Sequence, residues 1–295
     1  MSDTASKKLR AESEASQLQR LAASACRQRE RIRQDIEKLD PLIVPSLKNS
    51  KESKPTNIVS QLSNPAYETK LPFPFVGDTN ANRFEVDKES DEKYWRYMGR
   101  EKFANLIDEF ENIRRDPGYT VLHVYGTRGY GKSHLLAALV CVLAAWEVKV
   151  VYIPDCRELI RSPVSYVRAA MLFAWTGDES KQQNIMALEN EEDIYRFFEN
   201  QVDVIFVVDQ LNALDIRKTD DRRTADKKAD LYQWLDRCMA CHKAILSSSA
   251  NNHKFLNAVI KHPSQKMMYV YGGLTEVSLR SNNSFVKNVT LLTMV

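Results

Sequence analysis

The sequence predicts an α/β fold with a mostly parallel sheet flanked by helices, preceded by an N-terminal helix and an irregular linker. Three observations predict it. From residue 90 onward, short apolar runs alternate with helical patterns, as in a parallel sheet with crossover helices. Three of only nine glycines, Gly126, Gly129 and Gly131, fall within six positions between one apolar run and one helical stretch. Six of the ten prolines lie between residues 41 and 74, which separates a proline-free head from the remainder. At 295 residues the chain has room for one large domain with extensions, or two small ones.

The elements follow in order. Residues 5–39 contain no Gly or Pro and read as a helix. Leu18, Leu21, Ala25, Ile32 and Leu39 fall near an a/d pattern that polar Gln28 interrupts. Three weak heptads make a marginal coiled coil, so a solvated single helix and a self-associating one stand as equal expectations. Arg27, Arg29, Arg31 and Arg33 spread around such a helix and make no phosphate-binding face. Residues 41–82 read as a Pro-rich linker, with the strip Leu71-Pro72-Phe73-Pro74-Phe75 extended against the domain behind it. The division is therefore 1–40 helix, 41–82 linker and strip, and 83–295 a domain that is short at its C-terminal end.

Residues 90–116 look helical, because Phe103, Leu106, Ile107, Phe110 and Ile113 share one face. Pro117-Gly118 ends that stretch. A strand at 120–125, the glycine loop and a helix at 132–146 come next, then a strand at 149–153 stopped by Pro154. Further helices are expected after it, broken near Pro163, and at 191–200. Residues 202–208 form a continuous apolar run ending in Asp209, the pattern of a buried parallel strand. A helix at 226–241, a strand at 244–248, a helix at 254–261 and a strand at 267–271 complete the order.

The octapeptide Gly126-Thr127-Arg128-Gly129-Tyr130-Gly131-Lys132-Ser133 matches G-x-x-x-x-G-K-[ST], the phosphate loop, in full. Its context matches too, between an apolar strand and a helix opening at Lys132, followed by His134. A chain that wraps phosphate must turn sharply with its N–H groups inward, and glycine permits that. Lys132 is expected on the β- and γ-phosphates and the Ser133 hydroxyl on Mg²⁺. Asp209, at the carboxyl end of a second core strand, is the expected ligand of the magnesium-bound water, and Gln210 the group that positions the attacking water. Lys132, Asp209 and Gln210 are thus the catalytic candidates, and Ser133 and Asp209 the metal-site candidates. Gln can orient water but cannot take a proton as Glu does, so slow turnover or a nucleotide-binding switch stands beside hydrolysis. Asp215 is an alternative carboxyl group. Ser249, Asn251 and Arg280 are candidate sensors of the terminal phosphate. The spacing of the strands favours the additional-strand division of P-loop NTPases, with its AAA-like and STAND-like groups. No N-K-x-D guanine-reading motif occurs, so ATP is expected over GTP. Adenine contacts are expected from Tyr97-Met98-Gly99-Arg100 or the helix after it.

Other chemistry fits less well. Cys238-Met239-Ala240-Cys241-His242 matches a haem-attachment pattern, but it reads as a helix end feeding a core strand, and zinc would need more ligands. No G-x-S-x-G or H-E-x-x-H motif occurs. The net charge of +3 gives no overall nucleic-acid footprint. No apolar run approaches the length of a membrane span. The charged first ten residues read as no secretory signal and the five cysteines fit a reducing compartment, so a cytoplasmic or nuclear location is expected.

Several strings together resemble the P-loop NTPase region of Crinkler-type proteins of fungi and oomycetes. They are Leu71–Phe75, Tyr97–Arg100, Val124–Leu136, Tyr152–Arg157 and Val208–Leu214, with Ser247–Asn252 and Tyr271–Leu274 beside them. The resemblance covers about residues 71–280. It implies an ATPase module of the kind often joined to a nuclease-like domain, with effector or genome-conflict roles. Residues 1–70 do not look like the ubiquitin-like header of those proteins, and no nuclease-like stretch follows before Val295. The expected function is a Mg²⁺-dependent ATP-binding NTPase that hydrolyses ATP to drive a conformational switch. Its rivals are a nucleotide-gated interaction module with little turnover and a nucleic-acid-acting ATPase.

Overall fold

Continuous apolar runs decide where the sheet sits. The computed structural model describes residues 2–39, 57–77, 84, 93–249 and 264–271. In chain order, α1 (Ser2–Leu39) and α2 (Asn57–Ser63) come first. A two-stranded antiparallel sheet follows, made of β1 (Glu68–Pro72) and β2 (Tyr94–Met98). Then come α3 (Lys102–Arg115), β3 (Val121–Gly126), α4 (Lys132–Ala145) and β4 (Lys149–Ile153). Four helices succeed them: α5 (Cys156–Arg161), α6 (Pro163–Ala174), α7 (Glu179–Met186) and α8 (Glu191–Glu199). Last are β5 (Val204–Val208), the 3-10 turn Leu211–Leu214, α9 (Arg222–Met239), β6 (Lys243–Ser249) and β7 (Gln265–Val270).

The five strands β3 to β7 make one wholly parallel sheet in the order β4-β5-β6-β3-β7, flanked by helices. This is the expected α/β class with P-loop architecture. β6 lies between the loop strand β3 and the Asp209 strand β5, so the additional strand is the one late in sequence. β4, which intervenes between them in sequence, lies outside β5.

Every residue of β5 is buried, which needs cover on both faces and suits a run of Val, Ile and Phe. Every residue of α4 from Leu135 to Ala144 is buried as well. A helix apolar all round must be enclosed, and α4 is, by the sheet, α1, α3 and β1. The fold therefore builds its centre around the helix that opens at the phosphate loop.

The head departs from expectation. α1 is neither solvated nor turned toward a second chain along its apolar seam. Leu18, Ala22, Ala25, Ile32 and Ile36 are buried, and the helix packs on α4, α6 and α7. Gln28, which breaks the heptad pattern, has a partner within this chain. Its buried side chain donates to Phe73 O at 2.8 Å, so the polar interruption ties α1 to the strip beyond the linker. Arg29 donates to Phe173 O and Ala174 O at the end of α6 and to Val148 O before β4, at 3.0–3.2 Å, which satisfies carbonyls left over at the helix end.

The linker also holds more structure than its composition suggests. Within 41–82, α2 buries Ile58, Val59 and Leu62, and β1 pairs with β2. Phe73 and Phe75 are buried, as the extended strip requires. The helix expected from residue 90 begins at Lys102, because Trp95 and Tyr97 alternate as a strand and bury on one face of β2. The helix expected at 254–261 lies outside the described residues. Among the described residues no helix is long and apolar enough to cross a membrane.

Candidate functional site

The carboxyl ends of parallel strands collect loops at one edge, and the predicted residues meet there. A cleft of ≈ 790 Å³ opens between the turn after β3 and the turn after β5. Its walls include Arg128, Gly129, Gly131, Lys132, Ser133 and His134 from the first turn, and Asp209 and Gln210 from the second.

The first turn is shaped by glycine. Gly131 has φ 76°, in the left-handed region, and stands as N-cap of α4 without a side-chain cap. The first N–H groups of α4 thus start at the cleft rather than under a capping oxygen. At the other end of the turn, a Cβ on Gly126 would collide with Val270 O of β7, so glycine there permits the close β3–β7 approach. The Lys132 ammonium folds back to donate to Gly126 O at 2.6 Å and Thr127 O at 2.9 Å. A phosphate oxygen is a stronger, charge-assisted acceptor than either carbonyl, so these bonds exchange readily for a polyanion. Tyr130 is half-buried and its carbonyl accepts from Arg100 at 3.3 Å. The His134 ring packs on Phe84 and Trp95, with centroids 5.1 and 5.3 Å away.

The second turn uses no glycine. Asp209 is buried, its N–H donates to Ile153 O at 2.8 Å, and its Oδ1 accepts from Gln210 N at 2.8 Å. Gln210 has φ 59° and ψ 38°, a left-handed conformation that costs a non-glycine residue about 1–2 kcal/mol. Strain of this kind persists where surrounding structure over-determines it, and it collects at functional turns. Here the buried Asp209 before it and buried Leu211 after it fix the backbone.

The structure adds residues that sequence reasoning did not single out. Ser247 and Ser248, at the carboxyl end of β6, line the cleft. Ser248 Oγ is buried without a hydrogen-bond partner, which suits it to a bound oxygen. The candidate Ser249 pairs by backbone with Gly126, one residue further along β6. Asn251 and Arg280 lie outside the described residues. Arg100 sits against the first turn, where a Cβ on Gly131 would strike its guanidinium, and burial lowers its pKa from the ordinary value. Arg157 also reaches the cleft. It is held by Asp155, its Nη2 2.7 Å from Asp155 Oδ2, and that hydrogen bond raises its pKa. Asp215 lines the cleft with its pKa raised by desolvation.

The signal for Arg100 lay in the Gly99-Arg100 pair, read as an adenine contact. Tyr97 cannot serve in that role, because its side chain is fully buried and its hydroxyl donates to Leu62 O at 3.0 Å. The Cys238–His242 pattern is structural. Cys238 is buried, and His242 packs against Phe206 with Nε2 3.1 Å from Phe198 O.

The cleft has five basic residues (Arg100, Arg128, Lys132, Arg157, Arg217) against Asp209 and Asp215, the charge balance of an anion site. The donor set also fits a magnesium ion, with hydroxyl and carboxyl oxygens at Ser133 and Asp209. Among the described residues no group of three His, Cys, Asp or Glu forms a metal site. The ion would therefore take its remaining ligands from phosphate and water, as magnesium commonly does.

No family model matches this chain, and no curated protein matches it. Among solved structures it is similar to the crystal structure of a DNA replication initiation factor, at 14% identity and a TM-score of 0.36. The match covers 63% of this chain and 50% of that one, about half its length. A likeness this distant says nothing of ligand or partner.

Proposed function

We propose that the chain is a Mg²⁺-dependent ATP-binding P-loop NTPase that hydrolyses ATP to drive a conformational switch. The observation that carries it is the meeting of a full phosphate-loop motif and the buried Asp209 at one basic cleft. The resemblance of residues 71–280 to Crinkler-type NTPase regions supports the same reading.

Lys132 exchanges its carbonyl partners for the β- and γ-phosphates, and the N–H groups at the start of α4 donate to the same oxygens. Ser133 and Asp209 would hold a magnesium ion, which when bound would supply neutralising charge to the phosphates. Gln210 orients the attacking water from a backbone already fixed in place, and Ser248 donates to a terminal oxygen. Arg100 and Arg157 face the added negative charge.

The same Gln210 supports a second reading, a nucleotide-gated module that binds ATP with little turnover, because an amide cannot accept the water's proton. Neither reading makes nucleic acid a partner. Binding of a fluorescent ATP analogue and steady-state phosphate release, with Mg²⁺, test both. The expected result is binding lost in Lys132→Ala and release lost in Gln210→Ala with binding retained. Binding through Lys132 without release establishes the gated module. A folded wild type that binds no ATP overturns both.

A further inference from the structure

The cleft already accounts for the phosphates but leaves the base of the nucleotide without a seat. The strand order says where that seat must be. Asp209 and Gln210 follow β5, and β6 lies between β5 and the loop strand. The terminal phosphate therefore points toward the β5 side of the loop. The nucleoside leaves on the opposite flank, where β7 and the start of α3 stand.

That flank carries exposed aromatic side chains. β7 pairs with β3 so that Val270 is opposite Gly126, which puts Tyr271 at the strand end beside the first glycine of the loop. Tyr271 is 59% exposed and Tyr269 43% exposed. Their rings stack with centroids 5.8 Å apart and planes 25° apart, and Tyr269 in turn lies 5.8 Å from Tyr125. The Lys102 ammonium, at the start of α3, stands 4.4 Å from the centre of the Tyr271 ring. Two residues before it, Arg100 touches the loop. The alternation of β7 places Met268 and Val270 in the core and Met267 and Tyr269 outside, so the rings are not a core face left open by misregister.

We propose that Tyr271, braced by Tyr269, is the shelf on which the base of the bound nucleotide stacks; this rests on the nucleotide reading above. A π face already stacked on a second ring binds a base with less ordering cost than a lone side chain, and such stacking is worth about 1–3 kcal/mol per base. The base takes the ring face that Lys102 now covers, and the flexible lysine moves its charge toward the α-phosphate. Stacking reads the face of a base rather than its edges. The shelf therefore favours purines over pyrimidines and separates ATP from GTP only weakly.

The test compares ATP with tripolyphosphate, which has the phosphates and no base. Affinities with Mg²⁺ are measured by calorimetry for wild type, Tyr271→Ala, Tyr271→Phe and Lys132→Ala, with thermal melting to verify folding. The expected result is about a tenfold loss of ATP affinity in Tyr271→Ala, unchanged tripolyphosphate affinity, and full ATP affinity in Tyr271→Phe. Equal losses for both ligands, or no loss for either, overturn the shelf while a Lys132→Ala defect keeps the phosphate site intact. If Lys132→Ala also leaves both affinities unchanged, the nucleotide reading itself falls. Self-association of wild type that Tyr271→Ala abolishes, with ATP affinity unchanged, assigns the rings to pairing at the sheet edge and overturns the shelf.

Discussion

The turn after β3 and the turn after β5 both leave the sheet at its carboxyl edge and both enter left-handed backbone, yet they do so with opposite residues. The first uses Gly131 at φ 76°, which costs no side-chain strain. The second uses Gln210 at φ 59°, which does. On the proposed reading the first turn gives its backbone to the nucleotide at Gly131, while the second offers the Gln210 side chain and accepts the strain. The proposed difference is that between a binding turn and a positioning turn.

Substitutions sharpen that contrast. The largest effect belongs to the binding turn. Lys132→Ala should weaken nucleotide binding at least about tenfold, since a charge-assisted hydrogen bond is lost, while the melting temperature stays near wild type. Gly126→Ala should cost ~3 kcal/mol of stability in urea unfolding, because the added methyl presses on Val270 O and separates β3 from β7. The same change at Gly129, where a Cβ meets nothing within 4 Å but φ is 89°, should cost only the backbone strain of about 1–2 kcal/mol, and a cost equal to or above that of Gly126→Ala would break the account.

Acid should act through the strand that carries the first turn. Burial lowers the pKa of His123 to about 4, and burial also lowers that of His242. A folded pKa below the unfolded one means that the unfolded chain binds the proton first. Stability is then complete above about pH 6.5 and falls as pH drops toward 4. His123 should account for about 1–2 kcal/mol between pH 7 and pH 5. His123→Gln, whose amide reaches the Nε2 position and keeps a donor for Gln265 Oε1, should flatten that part of the profile. The smallest effect belongs to the positioning turn. Gln210→Gly should stabilise the fold by up to about 1 kcal/mol as strain is released, and it should lower phosphate release without lowering ATP affinity. Loss of stability at Gln210→Gly would mean that the turn is not strained.

The binding turn was legible in sequence because glycine spacing, Lys132 and the flanking apolar runs are local features. Asp209 was legible for the same reason, as the polar end of a buried run. The strain at Gln210 was not, because nothing in the string Val208-Asp209-Gln210-Leu211 marks a left-handed residue. The run Ser247-Ser248-Ser249 does not say in sequence which hydroxyl reaches the cleft, and the structure brings Ser247 and Ser248 there. Arg157 gives no signal of its own, because it comes to the cleft from another element, and Arg100 is marked in sequence only as part of Tyr97-Met98-Gly99-Arg100, without its place against the first turn.

The head shows the same division. Its weak apolar seam was visible, but the string could not say whether another chain or this one covers it. This chain covers it: α4, apolar all round, takes cover from α1 together with α3, β1 and the sheet, and the partner of Gln28 lies 45 residues away. Fold class, the glycine turn before α4 and the buried acid are legible in the string alone, because these are written in short-range spacing and hydrophobic period. Tertiary structure alone decided which strand lies between the two turns, which side chains meet in the cleft and what α1 covers, because those depend on contacts between residues far apart in the chain.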